Sequence, residues 1–154
     1  MLTTEERQEI ANKLAEYPTR QAMSIESMLI VQRHRGWVSD ENLRDLSELL
    51  GLSVADLDGV ATFYNLIRRK PVGRHVALVC DSVSCWIMGC NRVSERLCST
   101  LGTTLGGTTA DGRFTLLPAV CLGACDHAPV MMIDGTLYND LDDRRIEEVV
   151  AQYE

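Results

Sequence analysis

Two pairs of cysteines, Cys80-x4-Cys85 and Cys121-x3-Cys125, restrict what this chain can become more than any other feature of it. Each pair follows a stretch that reads as a β-strand. If those strands are neighbours of the same polarity, their carboxyl ends deliver both pairs to one edge of a sheet, where four thiolates can converge. The start, Met1-Leu2-Thr3-Thr4-Glu5-Glu6, is polar and acidic, unlike an export signal or a transit peptide, so a cytoplasmic chain is expected. A reducing cytosol disfavours disulfides, so six cysteines there point to metal binding or redox chemistry.

Each pair is a chelate, and two such grips suit the two irons of a 2Fe-2S core. Four thiolates carry four negative charges, so amide donors and a helix end must stabilise the assembled site. Gly123 and Ala124 can bring amides close, and Cys85 is expected at the amino end of a helix starting near Trp86. A zinc ion held by four cysteines tolerates the same spacings and stays open as a non-redox interaction module. The C-x2-C-x2-C run of a four-iron cluster is absent, as is the C-x-x-C of a dithiol catalyst. A Rieske site is hinted at by Cys125-Asp126-His127, but it needs two histidines and the first pair has none in its loop.

Cys90 also stands five residues from Cys85 and could in principle replace Cys80 in a pair. Its helical spacing with Val93, Leu97 and Leu101 argues for a core position, as does that of Cys98, because free cysteine packs as a small hydrophobe. Trp86 and Met88 could keep water from the site or simply pack. His127 reads as a surface residue, His75 as part of a strand and His34 as the polar end of a helix. Arg68, Arg69, Lys70 and Arg74 form a basic patch that reads as a solvated hairpin.

Apolar residues make up 45% of the chain and charged ones 24%, the balance of a protein able to bury a core. A net charge of -7 opposes phosphate binding, so nucleic acid is not an expected partner. No stretch approaches the roughly 20 apolar residues of a membrane span, so no direct membrane insertion is expected. The Gly-rich stretch Gly102–Gly112 matches no phosphate-binding pattern.

The first seventy residues read as helices. Thr3 and Glu6 form a capping box for a first helix reaching about Tyr17. A second fits Gln21–Arg35, with Ile25, Met28, Leu29 and Gln32 on one face, and stops at Gly36. A third fits Asp40–Leu50, striped by Leu43, Leu46, Leu49 and Leu50 and stopped by Gly51, and Ser53 opens a short fourth. From Phe63 the pattern changes to strands at Phe63–Ile67, Arg74–Cys80, Phe114–Val120 and Val130–Ile133. Helices are expected from Trp86 to Leu101 and from about Asp142. The expected fold is α+β, with a helical bundle over residues 1–70 and a thioredoxin-like α/β domain over residues 71–154.

The segments Gly59-Val60-Ala61-Thr62-Phe63-Tyr64, Pro71-Val72-Gly73-Arg74-His75 and Cys80-Asp81-Ser82-Val83-Ser84-Cys85 resemble the 2Fe-2S subunit of bacterial respiratory complex I. So does Cys121-Leu122-Gly123-Ala124-Cys125-Asp126, with Ala128-Pro129-Val130-Met131-Met132-Ile133 after it. The resemblance extends over nearly the whole chain. It implies one 2Fe-2S cluster on Cys80, Cys85, Cys121 and Cys125 that exchanges single electrons. It also implies a partner subunit carrying FMN, the NADH site and a further iron-sulfur cluster, at the peripheral, cytoplasmic end of an inner-membrane complex. The same module serves NAD-linked hydrogenases and formate dehydrogenases, so quinone reduction is the first reading and those assemblies the alternative.

Overall fold

Side-chain caps start three of the four helices that build the first part of the computed structural model, which describes residues 1–153. In α1 (Thr4–Leu14), the Thr3 hydroxyl accepts the Glu6 amide at 3.2 Å and the Glu6 carboxylate accepts the Thr3 amide at 2.7 Å. Ser39 and Asn42 make the same exchange for α3 (Asp40–Leu50), and Ser53 accepts the Asp56 amide to open α4 (Val54–Phe63). Helices α2 (Ser24–Arg35) and α3 stop at Gly36 and Gly51, both left-handed. Ile10, Met28, Ile30, Val31, Leu43, Leu46, Leu50 and Leu57 form the core between these helices. Each such side chain contributes about 1.5–3 kcal/mol on burial.

Three sequence expectations need correcting in this unit, which comprises Met1–Pro71. Helix α1 ends at Leu14 rather than near Tyr17, and the Glu16 and Tyr17 amides bond three residues back in a tighter turn. Helix α2 begins at Ser24, not Gln21, and buries Ser24, Ser27, Ile30 and Val31 besides Met28 and Gln32. Ile25 and Leu29 are only half-buried. Because α2 packs on α1, α3 and α4, it is covered on more than one side and no single stripe describes it. Residues 63–67 are not a strand: Phe63 closes α4, and the Ile67 amide bonds the Tyr64 carbonyl in a turn at 3.0 Å. No strand lies among the described residues of this unit for such a segment to pair with, and Ile67 joins the helical core instead.

The second unit, Val72–Glu154, is built on a four-stranded sheet in the order β2-β1-β3-β4. Its strands are β1 (His75–Cys80), β2 (Phe114–Ala119), β3 (Met131–Ile133) and β4 (Thr136–Tyr138). Strand β1 runs parallel to β2 with Cys80 opposite Ala119, and antiparallel to β3. Helices α5 (Val83–Ile87) and α6 (Cys90–Leu101) make the crossover from β1 to β2, and α7 (Asp143–Val150) closes the chain from an Asp142 cap. Ala77, Val79, Phe114, Leu116, Met131 and Ile133 pack with Val93, Leu97, Ile146 and Val149 in one core.

The single helix expected from Trp86 to Leu101 is two helices, broken where Gly89 adopts φ +97°. That left-handed conformation interrupts the helical hydrogen bonds and is accessible to glycine without penalty. Strand β4 is an addition to the expected set. It pairs with β3 across Asp134-Gly135, both at positive φ, and this Asp-Gly dipeptide is the hairpin signal that three strand residues are too few to give.

Candidate metal centre

Cys80 is the last residue of β1, and its amide bonds the Val130 carbonyl at 3.2 Å. The next amide, Asp81, continues the ladder to the Ala119 carbonyl at 3.0 Å. The chain then turns into α5, whose first bond joins the Trp86 amide to the Ser82 carbonyl at 2.8 Å. Cys85 is the third residue of this five-residue helix, not the amino end of a long one. Cys80 and Cys85 are both buried, at 2% and 1% exposure.

The second loop leaves β2 one residue after the position paired with Cys80. Gly123, at φ +88°, turns the chain back so that its amide meets the Cys121 sulfur at 3.4 Å. Cys125 opens a single 3-10 turn, Cys125–His127, and its sulfur stands 3.6 Å from that of Cys121. Both of these cysteines are exposed. The parallel β1–β2 pairing thus delivers the two loops to the carboxyl edge of the sheet.

The loops meet there. Cys80, Cys85 and Cys90 share an apolar cluster with Ala128 and Val130, and Leu122 and Ala124, which lie between Cys121 and Cys125, pack against it. The Cys80 sulfur also reaches back to the Val120 carbonyl at 3.2 Å. Burial first, and then its bond to Cys80, push the Cys85 thiol up to about 11. The Cys125 thiol is raised chiefly by its hydrogen bond to Cys121 and by that neighbour's charge. Both shifts disfavour the free thiolates of Cys85 and Cys125, which a cationic guest would stabilise.

Among the described residues, no group of three or more His, Cys, Asp or Glu side chains is placed to hold a metal ion. A zinc staple needs four donors about one metal, whereas a two-iron core takes two thiolates at each iron. The arrangement in two pairs, with an amide aimed at one sulfur, fits the second donor requirement.

The remaining sequence candidates are placed as follows. Cys90 is buried beside the first pair, and Cys98 is half-buried against the sheet–helix core. His127 is exposed and meets the Asp140 carboxylate at 3.2 Å, His75 meets Asp134 at 2.6 Å, and His34 meets Glu9 at 3.0 Å. Arg69 is paired with Asp40 and Asp58, so the basic patch is partly neutralised. Trp86 and Met88 are exposed rather than packed, at 62% and 60%. They belong to an apolar collar with Val83, Ile87 and Val120, all exposed. Sequence reasoning missed the last three; their signal is a short helix with apolar side chains on its open face beside a cysteine pair.

The family description Thioredoxin-like [2Fe-2S] ferredoxin matches residues 10–154. The chain belongs to this family. An NADH-quinone oxidoreductase subunit of Pseudomonas aeruginosa is 45% identical over 99% of the chain and 92% of that protein. The protein of the same name from Escherichia coli K12 is also 45% identical, again over 99% and 92%. Among solved structures, an NAD+-reducing [NiFe]-hydrogenase in its air-oxidised state superposes with a TM-score of 0.69 at 25% identity. That match covers 82% of this chain but 22% of the hydrogenase chain, so this ferredoxin-family chain corresponds to about a fifth of it. Among the described residues, no helix is long and apolar enough to cross a membrane.

Proposed function

We propose that this chain is the 2Fe-2S electron-transfer subunit of an NADH:quinone oxidoreductase, with one cluster held by Cys80, Cys85, Cys121 and Cys125. The observation that carries the reading is the meeting of the two cysteine loops at the carboxyl edge of the parallel β1–β2 pair. The extent and identity of the match to the NADH-quinone oxidoreductase proteins of Pseudomonas and Escherichia support the assembly. When bound, the cluster takes up and releases one electron without making a bond to substrate. The chain's own part is structural and electrostatic. Cys80 and Cys85 grip from a buried wall, while Cys121 and Cys125 grip from the solvent side. The Gly123 amide stabilises negative charge on the Cys121 sulfur.

The electron comes from FMN in a partner subunit that binds NADH and carries a further iron-sulfur cluster. The collar of Val83, Trp86, Ile87, Met88 and Val120 supports docking of that partner beside the exposed pair, which shortens the path to the cluster. The helical unit is a domain of its own over about residues 1–70, the ferredoxin domain following it; the division at Pro71 supports this. Attachment to the cytoplasmic face of the membrane runs through the complex. The hydrogenase superposition favours one alternative, an equivalent diaphorase role in an NAD-linked hydrogenase.

An EPR spectrum before and after dithionite tests the site. The expected result is silence when oxidised and one spin-half signal when reduced, with two irons and two sulfides per chain. A colourless protein with stoichiometric zinc would overturn it. Co-purification of an FMN-containing chain tests the assembly, and the electron acceptor of that complex, quinone or a hydrogenase module, separates the two readings.

A further inference from the structure

The second cysteine loop is held from outside at two neighbouring points. The Asp140 amide bonds the His127 carbonyl at 2.9 Å, and the Leu141 amide bonds the Pro129 carbonyl at 3.1 Å. His127 ends the 3-10 turn that Cys125 opens, and its own amide closes that turn on the Ala124 carbonyl at 3.1 Å. The Asp140 side chain grips the same residue, its carboxylate standing 3.2 Å from His127 Nδ1. A carboxylate only accepts, so Nδ1 carries the hydrogen of this contact. Asp140 thus holds His127 twice, once through its backbone and once through its side chain.

The segment that supplies these bonds is fixed at both ends. On one side Tyr138 ends β4, and its hydroxyl meets that of Tyr153 at 2.7 Å. On the other, Leu141 is buried in the sheet–helix core, and Asp142 caps α7 by accepting the Arg145 amide at 2.7 Å. Helix α7 in turn buries Ile146, Val149 and Val150. Between these anchors Asp140 adopts φ +51°. Among the described residues, Asp134 is the other non-glycine position at positive φ, and there the hairpin turn accounts for it. At Asp140 the same bend lies between two successive amides that both reach the cysteine loop. Asp and Asn tolerate this left-handed backbone better than other residues with a side chain, and they also offer an acceptor to His127.

We propose that Asp140 is a positioning residue for the cluster, holding the Cys125–His127 turn so that the Cys125 sulfur keeps its place beside Cys121. The proposal rests on the four-cysteine ligation given above. Asp140 adds no ligand and acts through His127. It makes the exposed side of the site depend on the link between β4 and α7, which the spacing of the cysteines does not include.

The test compares the full chain as parent, D140N, D140A and H127A. Each is reduced for EPR and followed as it releases iron to a ferrous chelator, and the melting temperature of each cluster-free chain is measured beside these. D140N keeps the acceptor and tolerates the backbone, so it is expected to match the parent. D140A loses both and should show shifted g-values and several-fold faster iron release, while H127A, which loses the side-chain contact alone, falls between. Parent-like g-values and release in D140A would overturn the proposal, even with a lower melting temperature, because Asp140 would then serve the fold and not the site. A D140N as altered as D140A would overturn it too, since charge rather than position would be responsible. Should D140A not fold, parent-like values in H127A decide against the proposal. A parent without the two-iron signal is a separate outcome that ends the ligation itself.

Discussion

The backbone amide of Gly123 points at the sulfur of Cys121, 3.4 Å away, from a residue held at φ +88°. Both facts follow from one bend of the second loop. A donor aimed at a ligand sulfur stabilises the reduced cluster, which carries the greater negative charge. Space around Gly123 is open, so a methyl group there meets no clash. Gly123→Ala is therefore expected to cost about 1–2 kcal/mol through backbone strain alone. As the loop relaxes from the left-handed region the amide turns away, and the midpoint potential should become more negative. Thermal melts and a redox titration check the two effects, and an unchanged potential would show that the contact has no electronic role.

Cys121→Ala and Cys125→Ala are each expected to abolish the cluster, since one thiolate cannot hold an iron at an exposed edge. Because the guest binds the folded state and not the unfolded chain, its loss should lower the melting temperature as well. Iron assays and calorimetry on the variants, beside parent protein stripped by a chelator, test whether the two losses coincide.

In the helical unit, Arg35 donates to both oxygens of Glu6, at 2.6 and 2.7 Å, and the Glu6 side chain is buried. The Arg35 hydrogen bonds, aided by the Thr3 amide, lower the Glu6 carboxyl below its ordinary 4.5. A carboxyl depressed in the folded state adds stability that is present above its unfolded value and is lost as pH falls through the folded one. Unfolding midpoints should therefore drop below about pH 4.5 in the parent. Glu6→Gln keeps a capping-box acceptor but loses the charge. It should cost about 1–3 kcal/mol near neutral pH and flatten the acid dependence. Denaturant melts of both proteins from neutral to acidic pH give the comparison.

Trp86 and Ile87 are 62% and 70% exposed, so truncating either to alanine should change stability by no more than about 0.5 kcal/mol. The cluster spectrum should stay as in the parent. Affinity for the proposed FMN-bearing partner is expected to fall about tenfold or more per substitution, as for an aromatic or aliphatic anchor at an interface centre. Pull-down titrations with the partner check this, and unaltered affinity would remove the collar from the docking surface.

The starts of α1, α3 and α4 are the most legible part of the sequence, because Thr3, Ser39 and Ser53 act on amides only three residues away. The α3 limits and the stops at Gly36 and Gly51 are readable for the same local reason. Where an outcome depends on distant partners, local pattern fails. Phe63–Ile67 has strand-forming residues but no strand to pair with, and the covered sides of α2 depend on three other helices. The Gly89 break is written in the chain as a glycine, yet apolar spacing runs through it unchanged. At the site, the two cysteine pairs are visible as spacings. Their meeting requires parallel pairing of β1 and β2, a relation between residues about forty apart that no window of sequence contains.

The pairing of Cys80 with Ala119 makes the sheet a ruler for the proposed cluster's grip. The segment before β2 is tied to the same ruler, with the Gly106 amide on the Leu116 carbonyl at 2.7 Å and the Leu116 amide on the Gly107 carbonyl at 3.0 Å. One residue gained or lost within His75–Cys80 or Phe114–Ala119 shifts a loop by about 3.3 Å and turns its side chains to the opposite face. Evolution and engineering must therefore leave those two short segments at constant length.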